Sequence, residues 1–163
     1  MDTNLTAPTI AKPANYFDVK LYTGNGSTQT ISGLGFSPDL VWIKGRSLAA
    51  DHGLFDIVRG TTKRLVSNAT QAEDTQSGVT AFNSDGFDLG SYAGQNQSSS
   101  TYVAWTWDAG TSTVTNTQGS ITSSVRANAS AGFSVVSAPI SSSGGSIGHG
   151  LNVSPGLIIV VIS

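Results

Sequence analysis

The 163-residue chain lacks cysteine altogether, and only 11% of its residues are charged. The first absence excludes disulfide bonds and thiolate metal sites. The second lies well below the ~25% charged residues of an ordinary globular chain. With a net charge of -2, the sequence offers no basic field for nucleic acid or for an anionic membrane. We therefore expect no nucleic-acid partner and no membrane partner.

Long apolar segments are also missing. The longest apolar run, 157–162, is far too short to span a bilayer. Met1 is the only methionine, and the residues after it form neither the basic region nor the apolar region of a secretory signal. These absences predict a soluble product that is made in a cytoplasm.

Glycine, serine, threonine and asparagine take the place of the missing charges. Short segments rich in valine, threonine and aromatic residues alternate with glycine-containing turns. This pattern is typical of short strands joined by tight turns, as in a β-sandwich or barrel. We predict an all-β fold: an antiparallel, jelly-roll-like β-sandwich, preceded by an extended N-terminal arm and followed by the start of a second similar unit.

A repeated Ser-Pro turn organises the chain. The turn at 37–38 leads into the apolar run 40–43, and a second turn at 154–155 leads into the apolar run 157–160. Proline favours extended geometry in the residue before it, so each turn should lead into a strand. The run at 40–43 does not alternate between polar and apolar residues, which predicts a central strand that is buried on both faces.

The segments before the two turns also correspond. Pro38 and Pro155 are 117 positions apart, and Phe17 and Phe133 are 116 positions apart. A spacing this long indicates separate units rather than the stacked turns of a solenoid. We predict four parts, namely an arm at 1–15, a β-sandwich domain at 16–110, a linker at 111–131 with one possible strand at 120–125, and a partial second unit at 132–163.

Both ends of the chain allow two interpretations. An incomplete second unit would leave the run 157–162 as an exposed apolar edge. We expect the chain to be the front of a longer product, and the alternative is that a neighbouring subunit completes this run, which would then be a docking element. The arm at 1–15 is either a disordered terminus or a segment that becomes ordered along a partner.

The segment 83–88 has two interpretations. It contains Asp85-Gly86 between two alternating runs, and this pair predicts a β-hairpin because both residues tolerate positive φ. The segment also has a passing similarity to a calcium loop. It lacks the distal glutamate and has too few carboxylates for that role, so we interpret it as a hairpin turn.

The three tryptophans also allow two interpretations. In the run 101–108, alternation places Val103, Trp105 and Trp107 on one face. One apolar face of a sandwich strand is normally core, so we interpret Trp105 and Trp107, together with Trp42, as core residues. The alternative is a platform on which sugar rings stack, as in carbohydrate-binding modules.

One group of side chains resembles a catalytic or metal site. His52 follows Asp51, and Asp56 and Arg59 come shortly after it. We favour the interpretation that Asp56 and Arg59 form an ion pair that fixes a loop. The sequence contains no nucleophile-elbow serine, phosphate-binding loop or paired His-Glu motif. We therefore predict no catalytic residue, no cofactor-binding residue and no metal ligand.

Five segments of the chain, 16–26, 36–47, 56–60, 82–87 and 102–110, together resemble the repeat domain of tail-fibre and other virion structural proteins of tailed bacteriophages, especially marine ones. The resemblance covers about 16–110, with a second partial unit from about 119, and it implies a β-rich virion component without enzymatic activity. The chain departs from the pattern at its end, where Val161-Ile162-Ser163 stands in place of the Lys44-Gly45-Arg46 of the first unit.

These observations give a functional hypothesis. We expect a non-enzymatic structural component of a tailed phage virion, namely the N-terminal anchoring part of a tail fibre or similar host-attachment appendage that docks through the arm at 1–15. Its partners would be other tail or head proteins and copies of itself, as a homotrimer, in virions assembled in the host cytoplasm. The alternatives are a carbohydrate-binding module that recognises a host-surface glycan and a capsid decoration protein. An enzyme such as a depolymerase ranks last, because it needs a carboxylate pair in a groove.

Overall fold

A computed structural model describes residues 12–139 and 143–162. In this part of the chain, strands account for nearly all regular structure, and the helices are the four-residue α1 at Ala93–Asn96 and a 3₁₀ turn at Pro13–Asn15. The strands are β1 Phe17–Thr23, β2 Gln29–Ser32, β3 Leu40–Gly45, β4 Gly53–Asp56, β5 Lys63–Val66, β6 Asp74–Thr75, β7 Val79–Asn83, β8 Gly86–Leu89, β9 Thr101–Trp107, β10 Thr113–Asn116, β11 Ser123–Asn128 and β12 Phe133–Ser137.

The strands form three sheets. A six-stranded sheet has the order β1-β9-β3-β4-β5-β6, and three-stranded sheets have the orders β2-β8-β7 and β10-β11-β12. Neighbouring strands pair antiparallel throughout these sheets. The predicted all-β antiparallel sandwich is confirmed.

The core lies between the six-stranded sheet and the β2-β8-β7 sheet. Every second residue of β3 and β9 points into it, as the period of two of a strand requires. Aromatic and branched side chains fill this space at close to zero exposure. The core residues are Tyr22, Ile31, Leu34, Phe36, Val41, Ile43, Phe55, Val79, Phe87, Leu89, Tyr102 and Ala104.

The prediction for the first Ser-Pro turn is half right. Strand β3 lies between β9 and β4, so it is central. Its Val41 and Ile43 are fully buried, but Leu40 and Trp42 on the opposite face are only half-buried. Within 12–139 and 143–162, no second layer covers that face as completely as the core covers the first, so the expectation of burial on both faces was wrong.

The predicted hairpin at 83–88 is confirmed as β7 and β8, but its geometry differs from the expectation. The two turn residues are Ser84 and Asp85, and neither they nor Gly86 has a positive φ. Gly86 is instead the first residue of β8 and pairs with Asn83. A Cβ at Gly86 would collide with the carbonyl oxygen of Ile31, so close packing between β8 and β2 requires glycine there.

The segment 111–131, predicted as a linker with one strand, contains two. The expected strand at 120–125 is β11, shifted toward Asn128, and β10 precedes it. Strand β10 consists of two threonines, one valine and one asparagine, so it lacks the apolar alternation that would have predicted a strand. Its residues are mostly exposed. The division of the chain into two units stays a prediction, although one local conformation does recur at the repeat spacing.

That recurring conformation surrounds a buried leucine. Gly33 and Gly35 both have positive φ, and Leu34 between them is 4% exposed. In the second copy Gly150 and Asn152 have positive φ, and Leu151 between them is 7% exposed. The two turns therefore place a leucine in the interior by the same backbone geometry.

The described residues nearest the two ends of the chain, 12–16 and 157–162, do not belong to strands. Residues 1–11 of the predicted arm lie outside the described residues, and Pro13–Asn15 form a 3₁₀ turn rather than an extended segment. At the other end, 157–162 forms no strand with the described part of the chain. Its large apolar side chains, including Leu157 at 78% and Val160 at 73%, are exposed.

Candidate functional site: the outer face of the six-stranded sheet

The face of the six-stranded sheet that points away from the core carries a continuous apolar surface, which we call the outer face. Residues that are directly paired in an antiparallel sheet lie on the same face, so the strand register defines three rows across it. The rows are Phe17, Trp107, Leu40 and Asp56; then Val19, Trp105, Trp42, Leu54 and Leu65; and then Leu21, Val103 and Lys44, so the face is mostly apolar.

Exposure increases across this face toward the edge strand β1. Leu54 in β4 is 7% exposed, whereas Val19 and Leu21 in β1 are 40% and 63% exposed. The tryptophans in β3 and β9 are half-buried between these extremes. Since contiguous exposed apolar surface on a soluble domain usually marks an interaction site, this face is the candidate site.

The aromatic rings of the outer face contact one another in two groups. The rings of Trp42 and Trp105 meet edge to face, with centroids 5.9 Å apart. Trp107 contacts Phe17 at 5.1 Å and stacks on Phe133 of β12 at 5.7 Å. Phe17 and Phe133, which correspond in the repeat, therefore contact the same tryptophan, and β12 covers this end of the face.

The interpretation of the tryptophans as core residues was wrong. On β9 the core side belongs to Tyr102, Ala104 and Thr106, each with 0% exposure. Tyr102 stacks on Tyr22 with ring centroids 5.1 Å apart. Both faces of β9 contain apolar or aromatic residues, and the alternation in the sequence does not say which of them meets the second sheet.

Tyr102 can occupy the core because its hydroxyl has partners. The hydroxyl donates to the Ala93 carbonyl at 3.0 Å and accepts from the Gln97 N–H at 2.8 Å. The hydroxyl of Tyr22 donates to the Gln95 carbonyl at 2.7 Å. Burial raises the pKa of both tyrosines, so both hydroxyls stay protonated. Helix α1 and the residue after it thus provide the polar partners that bury a tyrosine pair.

Asn96 in α1 fixes the same corner of the sandwich. Its amide nitrogen donates to the carbonyl oxygens of Ser27 at 2.6 Å and Gly90 at 2.8 Å, and its Oδ1 accepts from the Asn25 N–H at 3.0 Å. Asn96 is fully buried. No local pattern in the sequence indicates this role, because a Gly/Ser-rich stretch predicts loop.

His52 and Asp56 do not form the catalytic constellation that was considered. The imidazole of His52 lies over Trp42 at 6.4 Å between ring centroids, and the backbone N–H of His52 donates to Asn68 Oδ1. Partial burial, and then the nearby Lys44, lower the pKa of His52. Strand β4 runs from Gly53 to Asp56, so His52 and Asp56 lie at opposite ends of it.

The Asp56 to Arg59 ion pair is confirmed. Arg59 Nε lies 2.6 Å from Asp56 Oδ2, and the backbone N–H of Arg59 donates to Asp56 Oδ1. The guanidinium also binds Glu73 at 2.8 Å and the carbonyl of Leu54 at 3.3 Å. This network joins β4 to the segment before β6, so it holds a loop in place as expected.

The acidic groups near the β7–β8 hairpin are also occupied by protein donors. Asp85 accepts from the backbone N–H groups of Gly33 and Gly35, and these bonds lower the pKa of its carboxyl. Asp88 Oδ1 accepts from Thr30 and Asn83. In 12–139 and 143–162 there is no group of three or more histidine or acidic residues arranged to hold a metal ion.

Asp39 connects distant parts of the fold, and no pattern in the sequence predicted this role. It follows the first Ser-Pro turn and is fully buried. Its Oδ2 accepts from the Ala109 N–H at 2.7 Å, and its Oδ1 lies 2.8 Å from Arg126 Nε in β11. The guanidinium N–H does not point well enough for a hydrogen bond, so this second contact is an ion pair.

Burial dominates the ionisation of Asp39. It raises the pKa of the carboxyl by more than the Ala109 N–H and Arg126 lower it. The corresponding residue after the second Ser-Pro turn is Gly156. This difference between Asp39 and Gly156 is the one sequence feature that indicates a role for the Asp39 carboxylate in the first unit alone.

Residues 12–163 match a protein family described as a domain of unknown function, DUF7483, and the chain belongs to that family. No curated protein and no solved structure showed significant similarity to the chain. Within the described residues, no helix has the length and apolar character needed to cross a membrane.

Proposed function

We propose that this member of the DUF7483 family is a non-enzymatic structural component of a tailed phage virion. It is the N-terminal anchoring part of a tail fibre or similar appendage. It assembles with other virion proteins and with copies of itself, as a trimer, and the arm at 1–15 docks to the particle. The virion assignment rests on the resemblance of the sequence motifs described above.

The observation that supports an assembly role is the exposed apolar edge of the outer face. Phe17, Val19 and Leu21 are 36%, 40% and 63% exposed, and they adjoin the half-buried tryptophans of β9 and β3. Burial of apolar area favours association by about 25 cal/mol per Å² before the costs of ordering and desolvation are subtracted. An uncharged contact of this kind is also weakly affected by salt, because there are few ionic interactions to screen.

The placement of the acidic groups agrees with a structural role. Asp39, Asp56 and Asp74 each pair with an arginine at 2.6–2.8 Å. These arginine contacts hold loops and strands together. The described contacts of the three carboxylates therefore stabilise the fold.

The oligomeric state of the purified chain tests the assembly role. We expect the wild-type protein to sediment as a trimer and the double variant Val19→Lys, Leu21→Lys to sediment as a monomer, because the contact would bury unpaired charges. The matched control is Val114→Lys, which alters a 53% exposed apolar residue on β10 and should remain a trimer. A wild-type monomer would contradict the proposal.

Gold-labelled antibody against the chain should label the tail of intact particles, and label on the head would favour a capsid decoration protein.

A second candidate function is supported by the position of the tryptophans. Trp42 and Trp105 are half-buried on the outer face, near Lys44 and His52. Ring faces beside polar groups are suited to stacking on sugar rings. A glycan array probed with the wild type and with Trp105→Ala tests this function. Binding that Trp105→Ala abolishes and Val114→Ala retains would support a carbohydrate-binding module.

A further inference from the structure

Strand β1 is an open edge. Among the described strands its one neighbour is β9. Tyr16 accepts from the Asp108 N–H and Gly24 donates to Ser100, so the even-numbered residues face β9. In an antiparallel pair the alternate residues direct their N–H and C=O groups the other way. Phe17, Val19 and Leu21 therefore direct backbone groups to the open side, where the Val19 N–H donates to Asp18 Oδ1 at 2.7 Å, and they present apolar side chains to the outer face.

The charged residues of β1 leave this edge accessible on the outer side. Asp18 and Lys20 are paired with Thr106 and Ala104 of β9, which belong to the opposite face. The two side chains form an ion pair at 2.9 Å, and Lys20 also donates to the Gly33 carbonyl. Lys20 is thus directed toward the β2 side of the sandwich, whereas Asp18 Oδ1 also accepts from the Val19 N–H, a bond that an added strand would have to displace.

The segment 157–162 has the complementary properties. It repeats the sequence character of β3, a strand with a neighbour on each side. It carries no charge, and Leu157, Ile158, Ile159, Val160 and Ile162 are 63–78% exposed. Consecutive apolar residues on both faces are typical of a strand that is buried on both faces. With six residues, it is one residue shorter than β1.

We propose that residues 157–162 of one copy of this chain add as a strand to β1 of a second copy. Main-chain hydrogen bonds would form along the open edge, and alternate apolar side chains would cover Val19 and Leu21 on the outer face. This contact continues the one that the chain already makes at the other end of that face, where Phe133 stacks on Trp107. The inference rests on the self-assembly that we proposed above.

The contact has a consequence for assembly. Each copy would contribute one donor segment and one acceptor edge, which are different surfaces of the same chain. Such a heterologous contact closes into a ring if the rotation between copies permits it. A trimer of the proposed kind would be a ring of three donor and acceptor contacts.

Cysteine cross-linking tests this pairing, because the chain has no cysteine of its own. Full-length Leu21→Cys and Ile159→Cys proteins are mixed and treated with a short bis-maleimide. We expect a cross-linked dimer in the mixture and little in either protein alone. Val114→Cys in place of Leu21→Cys is the control, since it places a cysteine on an exposed apolar site of β10.

A second measurement removes the donor without touching β1. Leu157→Lys, Ile159→Lys should weaken self-association at least about tenfold, because an unpaired charge buried in the contact costs more than the ~1.4 kcal/mol of a tenfold change. Its unfolding transition should match the wild type, because both residues are exposed in the single chain. A variant that associates like the wild type overturns the inference.

The outcomes separate this inference from the proposed function. A cross-linked dimer in the Ile159→Cys protein alone would show that the segments 157–162 of two copies pair with each other. That result overturns the pairing with β1. A wild type that associates through Val19 and Leu21 but gives no Leu21 to Ile159 cross-link overturns the inference and leaves the assembly role standing. A wild type that stays monomeric overturns both.

Discussion

The two faces of β9 differ in a way that side-chain size does not explain. The smaller residues Ala104 and Thr106 are fully buried with Tyr102, while the larger Trp105 and Trp107 are half-buried on the outer face. The core side is the one whose polar atoms have partners: Thr106 Oγ1 donates to the Asp18 carbonyl, and the Tyr102 hydroxyl binds residues of α1 and its C-terminal end. The comparison teaches that a large apolar residue left half-exposed is available for contacts beyond the single chain.

The sharpest test of this comparison is Tyr102→Ala on the core face. Loss of a fully buried aromatic side chain should lower the free energy of unfolding by about 3–5 kcal/mol, because a cavity forms beside Tyr22. Urea unfolding followed by tryptophan fluorescence measures the change. Tyr102→Phe is the matched control and should cost about 1 kcal/mol, since only hydrogen bonds are lost. An unchanged midpoint for Tyr102→Ala would refute the assignment of this face to the core.

The next largest effect is expected at Asp39, where β11 is tied to the sandwich. Asp39→Ala should lower the free energy of unfolding by about 3 kcal/mol, because it leaves Arg126 without its counter-ion and the Ala109 N–H without its acceptor. Asp39→Asn retains an acceptor for Ala109 and should cost less. Urea unfolding again provides the measurement, and equal midpoints for the two variants would contradict the role of the backbone hydrogen bond.

On the outer face, Trp105→Ala should cost only about 1 kcal/mol of stability, because part of the side chain remains in contact with solvent in the wild type. Its effect on association or on glycan binding should be larger than its effect on folding. Sedimentation and a glycan array, both compared with urea unfolding of the same protein, measure the two effects. A stability loss as large as that of Tyr102→Ala would show that the two faces are energetically equivalent.

Local features of the fold were predictable from the sequence, and contacts between distant segments were not. The ion pair of Asp56 with Arg59 was predicted because the residues are close in the chain, and the β7–β8 hairpin because its signal is local. The contact of Asp39 with Arg126 joins segments far apart in the sequence, so no local pattern indicates it. The face of β9 that is buried depends on α1, a four-residue helix in a stretch whose composition predicts loop.

The smallest expected effect concerns pH, and it compares two acidic residues with opposite surroundings. Burial raises the pKa of Asp39, so its protonated form contributes stability that is present below the pKa of the unfolded chain and is lost as pH rises through the folded pKa. Hydrogen bonds from Arg64 lower the pKa of Asp74, so that carboxylate contributes stability above the unfolded pKa and loses it as pH falls through the folded pKa.

Relative to Asp39→Asn, the wild type should therefore lose stability as pH rises from roughly 3 to 7, and relative to Asp74→Asn it should gain stability over the same range. Urea unfolding of the three proteins at several pH values gives the two differences. The Asp74 difference should stay below about 1 kcal/mol, because its side chain is 32% exposed and solvent weakens the pair. Two differences with the same sign would mean that Asp39 is stabilised as a carboxylate by Arg126, and the ion pair rather than burial would then control its ionisation.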